Sequence, residues 1–410
     1  MRAIVTRPRF QMLERSKFAM SKAASFALAL LITLAAGGDA FAQAIQTSAR
    51  WALLMDADTG SVLFQKDADA AMSPASMVKV MTAELVFKEI RDGRISLDTE
   101  MPVSENAWRT GGAMSRGSAM FAKLGEQIKV SDLLRGLIIQ SGNDAAIVLA
   151  EGLAGSEDAF AGMMNKRARE LGLRDSNFTN SWGKSDPRQK TTARDLAKLS
   201  VHVIKTYPDL YKIFAETEFT WNKIRQTNRN PLLTMNMGAD GLKTGNIDDS
   251  GYGLIGSAVQ GEQRLILVIN GTKSGKERTD EARKLLTWGF RAFDVRDVFK
   301  PGEAVGTASV YGGSVGRVPL VAKVPVRLMI PRGATERLSA RIEYVGPLIA
   351  PVEAGTKAAN LRVYRGKELA LDMPLYTEVD VKTGPLYSRA FDAAYELAGS
   401  YIRKFTSKDK

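Results

Sequence analysis

The alternation of apolar and polar positions divides the chain into blocks of different period. ARWALLMDA and SVLF read as strands on either side of Asp58-Thr59-Gly60, so Ala49 to Phe64 is expected to form a β-hairpin closed by that turn. Pro74 opens a segment whose apolar residues Val78, Met81, Leu85 and Ile90 recur near helical spacing, which predicts a helix running to about Ile90. Ser131-Asp132 is a predicted N-cap for DLLRGLIIQ, and Asn143 begins a second helix, DAAIVLAEGLA. Two more helices follow, Glu157 to Leu171 with Phe160, Met164 and Ala168 on one face, and Thr192 to Ile204, which starts with Thr-x-x-Asp.

The period changes at Gly241. GYGLIGSAVQ and QRLILVING, separated by Gly261-Glu262, read as paired strands. Thr279 is then placed as the cap of a helix, DEARKLLTWGFRAF, with Ala282, Leu285, Leu286 and Phe293 towards a core. Strands at both ends of a helical block predict an α+β layer architecture. Near Lys300-Pro301-Gly302 the texture changes again. Short Val/Ile/Leu-rich segments punctuated by Gly and Pro continue to about Thr383, the pattern of a small β-sandwich domain. In the last stretch, Pro385 to Lys410, Phe391, Tyr395, Ala398, Ile402 and Phe405 recur at helical spacing beside Arg389, Arg403, Lys404 and Lys408. That amphipathic pattern with a basic end suits a membrane interface; a helix docked on the protein itself is the alternative.

The amino terminus bears on location. Arg2, Arg7, Arg9, Arg15, Lys17 and Lys22 precede the apolar run Ala23 to Ala36, and Ala40 and Ala42 occupy the small-residue positions of a signal-peptidase site. The run is shorter than the roughly 20 apolar residues of a membrane span, so cleavage after Ala42 and export are expected, with an uncleaved anchor as the alternative. The expected division is a signal peptide over 1–42, a catalytic domain over 43–300, the β-sandwich over 301–384 and the amphipathic helix over 385–410. With 410 residues and 45% apolar content the chain can bury a sizeable core. Its net charge of +12 falls to +8 once residues 1–42, with six Lys/Arg and two Asp/Glu, are removed. The mature chain is still drawn towards anionic surfaces, and the export signal makes these the cell envelope rather than nucleic acid.

Composition also limits the chemistry. With no cysteine there is neither a disulfide framework nor a thiolate metal site. The single histidine, His202, lies at the end of an apolar helical stretch, where a helix-end role fits. A hydrolase built on this chain therefore takes its base from lysine or a carboxylate. No metal site, phosphate-binding loop or cofactor motif is apparent.

Three short motifs remain: Ser76-x-x-Lys79, Ser141-Gly142-Asn143 and Lys243-Thr244-Gly245. Alone, each has an ordinary reading, as a capping serine with a surface lysine, an interhelical turn, and a strand-entry turn. The chain holds look-alikes as well: Ser181-x-x-Lys184, Ser407-x-x-Lys410, Ser104-x-Asn106 and a second Lys-Thr-Gly at Lys382. Only Ser76 follows a proline at a helix start with its lysine one turn on. Residues i and i+3 share a helix face, so Lys79 can reach the Ser76 hydroxyl. The positive end of the helix dipole, and burial, both favour the neutral amine that can take the serine proton. A hydroxyl at Ser141 can relay a proton to a leaving amine, and the Asn143 carboxamide can bond a substrate backbone. Lys243 and Thr244 suit a terminal carboxylate, and Gly245 lets a substrate backbone approach.

On these motifs, and on SPASMVKVMTA, LLRGLIIQSGNDAA, GADGLKTG with GYG, RKLLTWGF and IPRG (Ile330 to Gly333), the chain resembles the low-molecular-weight penicillin-binding proteins of the serine-type D-alanyl-D-alanine carboxypeptidase family over essentially its whole mature length. The resemblance implies a penicillin-binding or serine β-lactamase-like transpeptidase domain, a small all-β sandwich domain and a C-terminal amphipathic helix. It implies Ser76 as the acylated nucleophile, Lys79 as the base, and Ser141 and Lys243 in proton transfer and electrostatics. Asn143 would hold the substrate, Thr244 its terminal carboxylate, and the backbone N–H groups of Ser76 and Asn246 the oxyanion. Substrates would be peptidoglycan stem peptides, β-lactam antibiotics would acylate the same serine, no cofactor would be needed, and the tail would hold the enzyme at the outer face of the cytoplasmic membrane. Two positions depart from the family pattern. Asn246 and Ile247 follow Lys-Thr-Gly where an aromatic or His and then Thr are common, and Lys190 stands where many members carry a His before Thr-Ala-x-Asp. The same trio also serves β-lactamases, D,D-endopeptidases and penicillin-binding proteins of minor activity. The chain lacks the Glu-x-x-Leu-Asn segment of class A β-lactamases.

Overall fold

The computed structural model of the protein describes residues 45–332 and 338–386. The expected signal peptide, the end of IPRG at Gly333 and the amphipathic tail beyond Leu386 lie outside them. Along the chain the strands are β1 (Trp51–Asp56), β2 (Val62–Lys66), β3 (Glu100–Pro102), β4 (Gln127–Lys129), β5 (Glu218–Trp221), β6 (Ile224–Thr227), β7 (Ala239–Ile247), β8 (Gly251–Gln260) and β9 (Gln263–Thr272). The helices are α1 (Lys79–Arg91), α2 (Val130–Arg135), α3 (Asn143–Ala154), α4 (Glu157–Glu170), α5 (Ala193–Thr206), α6 (Pro208–Tyr211) and α7 (Gly275–Arg291). The expected α+β architecture is present.

The organising element is an antiparallel sheet in the order β2-β1-β9-β8-β7. The predicted hairpin supplies β1 and β2. Asp56 Oδ1 accepts the Thr59 N–H at 2.7 Å, and Gly60 turns the chain at φ 72°. Alternate residues of a strand face opposite sides, so apolar runs such as LILVI cover both faces of the sheet. Leu53, Ile266 and Val268 join a large core with Met81, Val86, Phe87, Ile147 and Leu199 from α1, α3 and α5. Leu54, Leu265 and Leu267 face the other way, onto Ala282, Leu285 and Leu286 of α7.

A short 3₁₀ turn, Ala75–Val78, leads into α1, and every residue of α1 from Lys79 to Phe87 is buried. A helix sunk this deeply cannot leave polar groups without partners. Thr82 accordingly donates to Ser181 O at 2.6 Å, while Glu84 gathers Arg167, His202 and Tyr207. His202 therefore does more than end a helix. Its Nε2 lies 3.1 Å from Glu84 Oε1, and its Nδ1 lies 3.1 Å from the Thr206 hydroxyl.

Two predicted caps moved. The helix placed behind Ser131 starts at Val130 after extended Lys129, because β4 runs directly into it, and it continues as a π-helical turn over Gly136–Gln140. Ser274, not Thr279, caps α7, accepting the Glu277 N–H at 3.1 Å; Thr279 lies inside the helix and donates to Gly275 O. Phe293 is buried as expected, but in a strand, β10 (Phe293–Phe299). Its partner is β13 (Val326–Pro331). The other strands of this all-β part are β11 (Ala304–Tyr311), β12 (Arg317–Val321), β14 (Leu338–Glu343), β15 (Leu348–Ile349), β16 (Lys357–Arg365) and β17 (Glu368–Thr377). They form one sheet in the order β14-β16-β17-β12-β11-β15, with a core around Val318, Leu320, Leu361, Leu371 and Leu375. Among the described residues no helix is long and apolar enough to cross a membrane.

Candidate active site

Three elements meet at Ser76: the 3₁₀ turn before α1, the turn before α3, and the edge strand β7. Ala75 is forced to φ 48°, in the left-handed region, which sets the following serine at a bend. Ser76 is half-buried, whereas Lys79, Ser141, Asn143, Lys243 and Thr244 are all buried. Ser141 turns the chain at φ 64° between the π-helical turn and α3. Gly245 lies where a Cβ would come within 3.0 Å of Pro74 O and 3.2 Å of the Ala75 Cβ, so a side chain there would force β7 away from the serine. Asn246, next along the strand, is exposed.

Lys79 Nζ is the centre of this arrangement. It lies 3.1 Å from Ser76 Oγ, 2.7 Å from Asn143 Oδ1 and 2.7 Å from the Trp182 carbonyl oxygen. The two carbonyl oxygens can only accept, while a hydroxyl can donate. A neutral amine, with two N–H groups and one lone pair, satisfies all three and directs the lone pair at the serine proton. Burial, and then the charge on Lys243, push the Lys79 pKa well below its usual value, against opposing pulls from Asp144 and Glu157. Lys243 is itself lowered to about 7, first by burial and then by Arg229 and Arg278. Both buried lysines are thus held below the usual lysine range.

The sequence-predicted residues Ser76, Lys79, Ser141, Asn143, Lys243, Thr244, Gly245 and Asn246 thus lie on the three elements that converge here. The look-alikes are engaged otherwise; Ser181 borders the site, next to Trp182, but its hydroxyl is turned to another partner. Ser181 donates to Glu157 at 2.8 Å, Ser104 and Asn106 both bond Glu151, and the Lys382 carbonyl accepts the Ser314 N–H inside the all-β part. Ser407 is outside the described residues.

Sequence reasoning missed three residues. The loop residue that meets Lys79 is Trp182, through its backbone; the Lys190 side chain is exposed, and its backbone pairs with Asn177. Arg229 and Arg278 add positive charge beside Lys243, and the Arg278 guanidinium lies over the Tyr252 ring at 5.9 Å with its buried Nε unpaired among the described residues. An isolated arginine carries no local signal, so only the fold could find these two. Gly183, next to Trp182, has φ 99°, and a Cβ there would sit 2.2 Å from Ala75 O and 2.8 Å from Ser76 N. Gly183→Ala is therefore expected to slow β-lactam labelling by at least tenfold and to lower stability by about 1–3 kcal/mol, read by fluorescent-penicillin labelling and thermal melting.

The D-alanyl-D-alanine carboxypeptidase family matches residues 39–274, and the family of the penicillin-binding protein 5 C-terminal domain matches residues 293–383. The chain belongs to the D-alanyl-D-alanine carboxypeptidase family. D-alanyl-D-alanine carboxypeptidase DacC of Escherichia coli K12 is 40% identical over 353 residues, covering 85% of this chain and 88% of that protein. DacD of Salmonella typhimurium is 38% identical over 90% of this chain and 96% of that protein. Among solved structures, penicillin-binding protein 5 of Haemophilus influenzae is similar at 35% identity, with a TM-score of 0.68 over 82% of this chain and 98% of that one. This D-alanyl-D-alanine carboxypeptidase is a serine-type hydrolase of cell-wall metabolism, with a penicillin-binding catalytic fold followed by an all-β domain.

Proposed function

We propose that the enzyme removes the terminal D-alanine of peptidoglycan stem pentapeptides through an acyl-enzyme on Ser76. The observation that carries this reading is the seat of Lys79 Nζ between Ser76 Oγ, Asn143 Oδ1 and the Trp182 carbonyl. Lys79 takes the Ser76 proton as Oγ attacks the penultimate D-alanine carbonyl. The peptide C–N bond then breaks, and a proton reaches the departing amine through Ser141. The oxyanion is held by the backbone N–H groups of Ser76 and Asn246. Asn143 bonds the peptide backbone, Gly245 lets it lie along β7, and Thr244, Lys243, Arg229 and Arg278 bind the terminal carboxylate. Water finally cleaves the ester and frees Ser76. A β-lactam enters by the same attack; penicillin-binding protein D2 of Listeria monocytogenes, solved in its ampicillin-bound form, is similar at 28% identity and a TM-score of 0.53 over 60% of this chain.

We further propose that residues 1–42 are removed on export, that 43–300 carry catalysis and 301–384 the β-sandwich, and that the 385–410 helix holds the enzyme on the outer face of the cytoplasmic membrane. The basic amphipathic pattern of the tail and the small residues at Ala40 and Ala42 support this. The test combines two readouts on the mature chain. Free D-alanine should be released from a pentapeptide ending in D-Ala-D-Ala, and bound penicillin should map to the Ser76 peptide by mass spectrometry. A folded enzyme that releases no D-alanine, or that carries penicillin on another residue, would overturn the reading.

A further inference from the structure

The second residue of α3, Asp144, is fully buried, and its carboxylate bonds mainly to the backbone of another segment. Oδ1 accepts the Met120 N–H at 2.9 Å and the Ala145 N–H at 2.9 Å; Oδ2 accepts the Ala122 N–H at 3.1 Å. Between the two tethered amides, Phe121 is held at φ 69°, a conformation a non-glycine residue adopts at a cost. A negative group in the first turn of a helix is also favoured by the helix dipole. The tethered segment also bonds to Asn143 and to β6. Ser118 O accepts the Asn143 N–H at 2.7 Å, and the Met120 carbonyl accepts Gln226 Nε2 at 3.0 Å. Gly117 lies so close that a Cβ would stand 2.8 Å from Asn143 Nδ2.

We propose that Asp144 is a positioning residue of the acylation step: it ties residues 118–122 to the start of α3, so fixing the Asn143 carboxamide against Lys79, and it lays a buried negative charge beside that amine. The inference rests on the reading of Lys79 as the base. An amide at position 144 keeps one acceptor oxygen and replaces the other with a donor that faces an N–H. The strap then loosens on one side, and Asn143 loses its fixed partner. Misplacement of a reacting group by about 1 Å can cost on the order of 100-fold in rate.

The electrostatic arm separates this role from a merely structural one. Lys79 is faced by Lys243 of β7, Arg229 in the loop ahead of β7, Asp144 of α3 and Glu157 of α4. Burial and the two cations disfavour the charged amine, whereas the two carboxylates favour it. Removing the Asp144 charge makes Lys79 easier to deprotonate. The acid limb of the acylation profile, where protonation of Lys79 switches the reaction off, then moves to lower pH.

The experiment measures the rate of penicillin acylation against pH for the full mature enzyme, Asp144→Asn and Gly117→Ala, with thermal melts alongside. Asp144→Asn is expected to acylate 10- to 100-fold more slowly at its plateau, with its acid limb at lower pH than that of the wild type. A slower rate with an unmoved limb would leave Asp144 a structural residue only and overturn the proposal, as would an unchanged rate. Gly117→Ala presses on the carboxamide without touching the carboxylate. It is expected to slow acylation about tenfold with the limb in place, and an unchanged rate there overturns the proposal even if Asp144→Asn does not fold. A wild type that takes up no penicillin would instead overturn the Ser76–Lys79 reading itself.

Discussion

Lys79→Met is expected to slow acylation of Ser76 by about 10²–10⁴-fold, the usual worth of a positioned general base. Methionine keeps the length and apolar stem of the side chain but has no group to accept the serine proton. Stability should change little. The substitution leaves Asn143 Oδ1 and the Trp182 carbonyl without their donor, and it also relieves the burial of an amine that is fully enclosed. Lys79→Arg distinguishes a base from a charge. A guanidinium remains protonated at any working pH, so it preserves positive charge and cannot take the proton. Arginine is therefore expected to be about as inactive as methionine. In the wild type the Lys79 pKa is lowered, so the rate should extend to lower pH than an ordinary lysine would allow and fall as the pH drops through that lowered value. Stopped-flow acylation with a fluorescent penicillin, with a thermal melt of each variant, reads all of this. An arginine variant that acylates near the wild-type rate would exclude Lys79 as the base.

The second large effect is on stability. Glu84→Ala is expected to cost about 3–5 kcal/mol, the range for breaking a buried ion pair by deleting one partner. Glu84 lies on the same buried helix as Lys79, with its side chain fully enclosed. Its Oε1 accepts from Arg167 at 2.9 Å, meets His202 Nε2 at 3.1 Å and accepts the Tyr207 hydroxyl at 3.1 Å. Deletion leaves the largely buried Arg167 with the more exposed Glu170 as its remaining carboxylate partner, and leaves the Tyr207 hydroxyl without this acceptor. Burial alone would raise the Glu84 pKa, but hydrogen bonds from His202 and Arg167 outweigh it and hold the value below the usual carboxylate. A carboxylate lowered in the folded state stabilises the protein above its unfolded pKa and loses that contribution as the pH falls through the folded one. The wild type should accordingly lose stability on acidification below the ordinary glutamate range of about 4.3, and Glu84→Ala should lose less over the same window. Urea titrations at neutral and acid pH measure both slopes. Equal slopes would show that this cluster does not link folding to protonation.

Local patterns carried much of the architecture because the interactions behind them are local. The Asp58-Thr59-Gly60 turn closes its hairpin through a side chain three residues away, and Thr192 caps α5 by accepting the Asp195 N–H at 3.1 Å. Ser274 and Thr279 show where this stops. Both are plausible caps of the same helix, and the choice fell to Ser274, where β9 ends and the chain turns to lay Ala282, Leu285 and Leu286 on the sheet. The start of α2 was misplaced for a similar reason. The pairing of β4 with β3 holds Lys129 extended up to Val130, and no cap signal reports a contact with residues near Glu100.

The sequence by itself determined the pairing of Ser76 with Lys79, because a helical turn brings residues three apart onto one face whatever surrounds them. It also determined the order of the three motifs and the two-faced apolar strands that require helices on both sides of one sheet. It also favoured Lys243-Thr244-Gly245 over the second Lys-Thr-Gly, and the tertiary structure supplied the reason. Lys243 lies on an edge strand beside the 3₁₀ turn, and Lys382 lies in the all-β part. The tertiary structure alone supplied Trp182, Arg229 and Arg278. Their roles come from proximity across long stretches of chain and from burial that lowers the lysine pKa values, neither of which leaves a trace in local spacing.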